Sequence, residues 1–128
     1  MDTGDLWRFF PLGYLVTVAF ETPVLVLLLS KHHPPKRRLF AGLWLTACTY
    51  PVVVLVLPPL FEDYSRAAYL AVAETFAPVA ECALFYFTFK GEEGGVTWRD
   101  MFAVVVANLL SFLAGEVLAA YGWFGLFR

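Results

Sequence analysis

The chain has 128 residues, of which 60% are hydrophobic, 18% aromatic and 16% charged, with a net charge of -2 and a mean hydropathy of +0.69. A soluble domain of that length lacks the interior volume to hide so much apolar surface, so the composition implies lipid as the solvent. No basic stripe with interleaved aromatics is present, and nucleic acid is excluded as a partner.

The first residues, MDTGDLWR, begin acidic and lack the basic start and small-residue cleavage site of a signal peptide. The apolar run over residues 9–30 has the roughly 20 residues that span a bilayer, and a retained helix is expected. KHHPPKRR, residues 31–38, breaks it with prolines and charges. A second span covers residues 39–60 and closes on Pro58-Pro59. FEDYSR then leads into a third span over residues 67–89. KGEEGGVTWRD, residues 90–100, is the next loop, and the last span runs over residues 101–124.

These four runs predict an all-α integral membrane protein, a single transmembrane domain over residues 1–128. Short connections predict antiparallel neighbours in a four-helix bundle, and the runs are too long and continuous for barrel strands. Lys31, Lys36, Arg37, Arg38, Lys90 and Arg99 fall in the first and third loops, against Arg8, Arg66 and Arg128 on the other side. That bias places both termini outside the cytoplasm, in the inner (plasma) membrane of a bacterium or archaeon. Trp7, Trp44, Trp98 and Trp123 sit near span ends, where amphipathic rings settle.

The third span carries the most informative stretch, AVAETFAPVAECALF. Glu74 and Glu81 are two helical turns apart, so both carboxylates face one way, about 10 Å apart along the axis. Pro78 between them cannot bond to the carbonyl of Glu74. Ionisable groups at such depth are costly, and the default reading is a functional site facing the protein interior.

Each of the other spans offers one polar or small-residue stripe. Glu21 has Thr17 and Tyr14 on its face. Gly42, Thr46, Thr49 and Tyr50 share a face of the second span, and Asn108, Ser111 and Glu116 lie broadly together on the fourth. Turned inward, these stripes give a polar centre with four glutamates, Glu21, Glu74, Glu81 and Glu116, and no Lys, Arg or His within any span. Four ionised carboxylates cannot coexist there without counter-charge, so most are protonated or a cation neutralises them. The rival reading is that neutral Glu, Asn and Thr only hold helices together, at roughly 0.6 to 2 kcal/mol per contact.

A second pattern is the ridge Ala107, Ser111, Gly115, Ala119, whose small residues permit close helix contact within the bundle or between protomers. Glu21 followed by Thr46-x-x-Thr49, and Glu81 followed by Asn108-x-x-Ser111, hint at two parallel two-helix repeats. Cys48 and Cys82 form no C-x-x-C or zinc spacing and read as buried free thiols. His32 and His33 read as part of a solvated loop near anionic lipid heads.

The cofactor is left unassigned. No span holds an axial His for haem, a Glu-x-x-His pair for di-iron or a Lys for retinal, and no nucleotide motif is present. The favoured function is proton or cation handling by the buried carboxylates, in a transporter or channel. Its expected partners are membrane lipid, a small solute or cation, and further copies of the chain. One alternative is a non-catalytic subunit packed against a larger membrane partner. The other is a lipid-modifying enzyme with Glu74 or Glu81 as base, disfavoured because no nucleophile or metal set accompanies it.

Overall fold

The structure is a computed structural model and describes residues 3–121. Every regular element among them is helical. Helix α1 spans Thr3–Leu28, α2 Pro35–Pro51, α3 Leu57–Leu60, α4 Arg66–Phe89 and α5 Trp98–Ala120, with a π-helical turn at Val52–Val56 joining α2 to α3. The stretches Trp7–Leu28, Pro35–Leu60, Arg66–Phe89 and Trp98–Ala120 are long and apolar enough to cross a membrane. The end of the fourth expected span, with Trp123 and Phe124, lies outside the described residues, as does Arg128.

Local chemistry sets the helix boundaries. Pro34 is held extended because a proline follows it, and Pro35 starts α2, where a missing N–H costs nothing. The prolines of the first loop therefore both end one helix and begin the next. Ser65 caps α4 by accepting the Ala68 N–H at 3.1 Å. At α5, Thr97 and Asp100 form a reciprocal capping box.

The π turn follows from Pro58. The Leu57 N–H reaches back five residues to the Val52 carbonyl. Pro58, next in that register, has no N–H to give to Val53. The Val53 carbonyl instead accepts the Tyr69 hydroxyl of α4 at 2.7 Å. A proline pair in one helix is thereby coupled to a tyrosine in another.

Helix α1 packs on α2 and α5, and α4 packs on the same two. The apolar core is not spread evenly along them. Leu25 and Leu29 at the end of α1, Ala41 and Leu45 early in α2, Phe85 and Phe89 late in α4, and Ala103, Val104 and Ala107 early in α5 form one buried cluster. The bundle is dry and packed towards the first and third loops. The half nearer the second loop is not filled in this way, and a cavity occupies it.

Gly13 and Gly42 allow the close approaches that draw α1 and α2 together. A Cβ at Gly42 would collide with Thr22, and one at Gly13 with the Tyr50 hydroxyl and the Phe9 ring. Gly115 behaves differently from the ridge expected of it. Ala107 is buried in the core, but a Cβ on Gly115 would meet nothing within 4 Å, and Ala119 is exposed. Among the described residues the ridge is buried only at Ala107, because α5 borders the cavity beyond Asn108. The thiols also depart from expectation: Cys48 is exposed and Cys82 only half-buried.

Candidate functional site

Helix α2 organises the polar centre without contributing a charge. Thr46 and Thr49, one turn apart, point to two different helices. Thr46 Oγ1 donates to Glu21 Oε2 of α1 at 3.3 Å. Thr49 Oγ1 lies 2.9 Å from Glu81 Oε2 of α4 and 3.1 Å from its own helix carbonyl at Leu45, and its single proton serves one of them at a time. Glu21, Thr46, Thr49, Glu81 and Asn108 are all buried. Asn108 donates to the Val104 carbonyl at 2.9 Å, and Ser111 to the Asn108 carbonyl at 3.0 Å.

Among the described residues three buried side-chain polar atoms have no hydrogen bond: Glu21 Oε1 and the Tyr50 hydroxyl, on residues that line the cavity, and Thr22 Oγ1, which packs against Gly42. Orphaned groups of this kind cost about 1–3 kcal/mol each, so they are expected where a ligand or a proton completes the site.

The cavity has a volume of about 1060 Å³. Glu21, Thr46, Thr49, Glu74, Glu81, Asn108, Ser111 and Glu116 all line it, so the structure brings the eight polar residues singled out in the sequence to one space. They are not equivalent. Glu21 and Glu81 sit deepest, at 2% exposure each, and Glu74 is half-buried. Glu116 is 2.6 Å from the Arg66 guanidinium, with both side chains partly open to the outside. It is a rim ion pair rather than a fourth unpaired acid. Among the described residues Arg66 is the only basic side chain on the cavity wall.

The opposite end of the bundle is closed by polar contacts that helical residue spacing does not announce. His33 is buried rather than solvated. Arg37 can only donate, so the His33 Nδ1 at 3.2 Å accepts, and Nε2–H is left to donate to Asp100 Oδ2 at 3.1 Å. Asp100 also accepts the Ser30 N–H at 2.8 Å and the Thr97 N–H at 2.9 Å. Burial pushes the His33 imidazole below its ordinary titration range, opposed by the Asp100 hydrogen bond.

Basic side chains complete the last turn of α1. Arg38 donates to the carbonyls of Val26, Ser30 and His33, and Arg99 Nε to that of Leu28 at 2.8 Å. Of these, the Val26 and Leu28 carbonyls belong to the last turn of α1, where carbonyls run out of helical partners and cations suit that end of the dipole. His32, His33 and Asp100 bring ligating atoms within 4.8 Å of one another. That set is already committed: His32 Nε2 contacts the Gly95 carbonyl at 2.8 Å, and a guanidinium faces His33. It fits a structural clasp better than an ion site. The Thr97-x-x-Asp100 spacing was the one signal in the sequence that could have revealed it.

Comparison with known protein families, with curated proteins and with solved structures finds no match.

Proposed function

We propose that this protein is an integral membrane protein, an antiparallel four-helix bundle, that exchanges protons for a cation at Glu21, Glu81 and Glu74 as a transporter or channel. One observation carries the reading. Of the glutamates that line the cavity, Glu21, Glu74 and Glu81 from two helices face no basic side chain, Glu21 has an unpartnered carboxyl oxygen, and Arg66, the only basic residue on the wall among the described residues, is paired with Glu116 at the rim. In a low-dielectric bundle such acids hold either a proton or a cation, and a cavity open at one end gives both a route.

The uneven packing supports one-sided access. The packed end carries Lys31, Lys36, Arg37, Arg38, Lys90 and Arg99, and the bias of positive charge towards the cytoplasm turns that end inward. The cavity then opens outside the cytoplasm, on the side of both termini. Four short helices leave little room for a complete path, so a homo-oligomer is part of the proposal, and so is a bacterial or archaeal inner membrane.

Proteoliposomes loaded with a pH-sensitive dye test the function. A cation gradient should drive proton flux in the unmodified protein and not in Glu21→Gln. Equal flux in both, or none in either across a broad set of cations, sinks the reading. Reporter fusions at each terminus test the orientation, and a cytoplasmic signal would reverse it.

A further inference from the structure

We infer that the cation is a linear aliphatic diamine or polyamine, held with one ammonium at the Glu21–Glu81 level and a second at Glu74. This inference rests on the proton-for-cation reading of the same cavity. Its starting point is the arrangement of the acids in depth. Glu81 and Glu74 lie on one face of α4, two turns and about 10 Å apart along the axis. Glu21 joins the deeper level from α1, and the Glu116–Arg66 pair stands at the rim.

A single small metal ion does not use such a ladder. Among the described residues, the one group of three or more acid, histidine or cysteine side chains within metal-binding reach is His32, His33 and Asp100, which lies outside the cavity. Hard divalent cations gather several carboxylates, whereas among the described residues no three of the cavity acids come within that reach of one another. Charges distributed along a chain match them instead.

The orphaned carboxyl oxygen specifies the head group. Glu21 Oε1 accepts hydrogen bonds and has no donor among the described residues. A primary or secondary ammonium supplies N–H donors, and a quaternary ammonium supplies none. Between the acid levels the wall includes Ala77, Val54 and Phe112, apolar surface suited to methylene groups, and Tyr69 stands a turn beyond Glu74, where its ring offers a cation–π contact to an ammonium. The cavity volume of about 1060 Å³ accommodates an extended chain of this kind. On binding, each carboxyl that was protonated releases its proton to water at the open end and keeps the ammonium as its counter-ion.

The test is calorimetry with proton-release detection on the full chain in nanodiscs at pH 6, where the carboxyls hold protons and the amines remain ammonium ions. The probes are α,ω-diaminoalkanes of increasing length, n-alkylamines of matched length, tetramethylammonium, Na⁺ and Ca²⁺. Diamine affinity should pass through a maximum with chain length. At that maximum it should exceed the matched monoamine by about 10- to 100-fold, since the second ammonium binds intramolecularly. Glu74→Gln, at a half-buried position with little structural demand, should bring the best diamine down to the monoamine level. Glu92→Gln, outside the cavity, should change nothing. Equal affinity for monoamines and diamines, or proton release by Na⁺ or Ca²⁺ alone, overturns the polyamine assignment and leaves the cation reading standing. No proton release with any probe overturns both.

Discussion

His33 Nε2 lies 3.1 Å from Asp100 Oδ2 with both side chains wholly buried, tying the segment between α1 and α2 to the first turn of α5. Phe85 and Phe89 of α4 pack against the imidazole edge, at ring-centroid distances of 5.3 and 6.1 Å. Three helices and a connecting segment therefore meet at one neutral histidine. Its tautomer is fixed by Arg37 on one side and Asp100 on the other.

That arrangement makes stability depend on pH. The groups facing His33 are Asp100, which favours the imidazolium, and Arg37 and His32, which disfavour it, while burial disfavours it most. The folded protein thus takes up this proton less readily than the unfolded chain. The stabilisation is complete above the ordinary value of 6.5 and is lost as pH falls below it towards the depressed folded value. His33→Gln can accept from Arg37 and donate to Asp100 without titrating. We expect the melting temperature of the unmodified protein to fall between pH 7 and 5 relative to that of His33→Gln. Parallel pH profiles for the two would show that His33 is not the titrating group.

Arg38 should matter for folding as well as for orientation. Arg38→Met removes the side-chain donor from the carbonyls of Val26 and His33, while that of Ser30 keeps the His33 N–H, and a buried acceptor left unsatisfied costs about 1–3 kcal/mol. Lys36→Met, at an exposed position, should be close to neutral. Thermal melts in detergent compare them, and equal melting temperatures would remove Arg38 from the account.

Glycine substitutions separate true contacts from open space. Gly42→Ala drives a methyl group into Thr22, and Gly13→Ala drives one into Tyr50 and Phe9. Each should lose about 1–3 kcal/mol, the usual cost of overpacking. Gly115→Ala should leave the monomer's stability unchanged. If Gly115→Ala nevertheless dissociates a purified oligomer, α5 contacts a second copy there.

Glu81 distinguishes chemistry from adhesion. Glu81→Gln keeps a side-chain oxygen for the Thr49 hydroxyl, so assembly should survive while cation-dependent proton release disappears. Glu81→Ala also leaves Thr49 without that acceptor and should lower stability by about 1 kcal/mol or more. Folding yield and proton release are measured on both variants. Normal proton release in Glu81→Gln together with failed assembly of Glu81→Ala would mean the carboxyl only joins helices.

The sequence alone determined the helical class, because runs of some twenty apolar residues admit few other structures. It also identified the polar stripes, since spacing along a helix fixes which residues share a face: Thr46 with Thr49, Glu74 with Glu81. The starts of α2, α4 and α5 fell within four residues of expectation because prolines and caps act locally, but α1 begins at Thr3, six residues before the apolar run that announced it. What periodicity does not encode is depth and partner. Only the tertiary structure decided that Glu116 meets Arg66 at the rim while Glu21 and Glu81 lie buried. The same holds for Gly115, which borders open space although Gly42 seats a threonine. His33 is the clearest case. A histidine beside prolines and arginines reads as solvated until Asp100, 67 residues away, is folded against it. Local chemistry writes the helices, but burial and pairing are set by contacts between residues far apart in the chain.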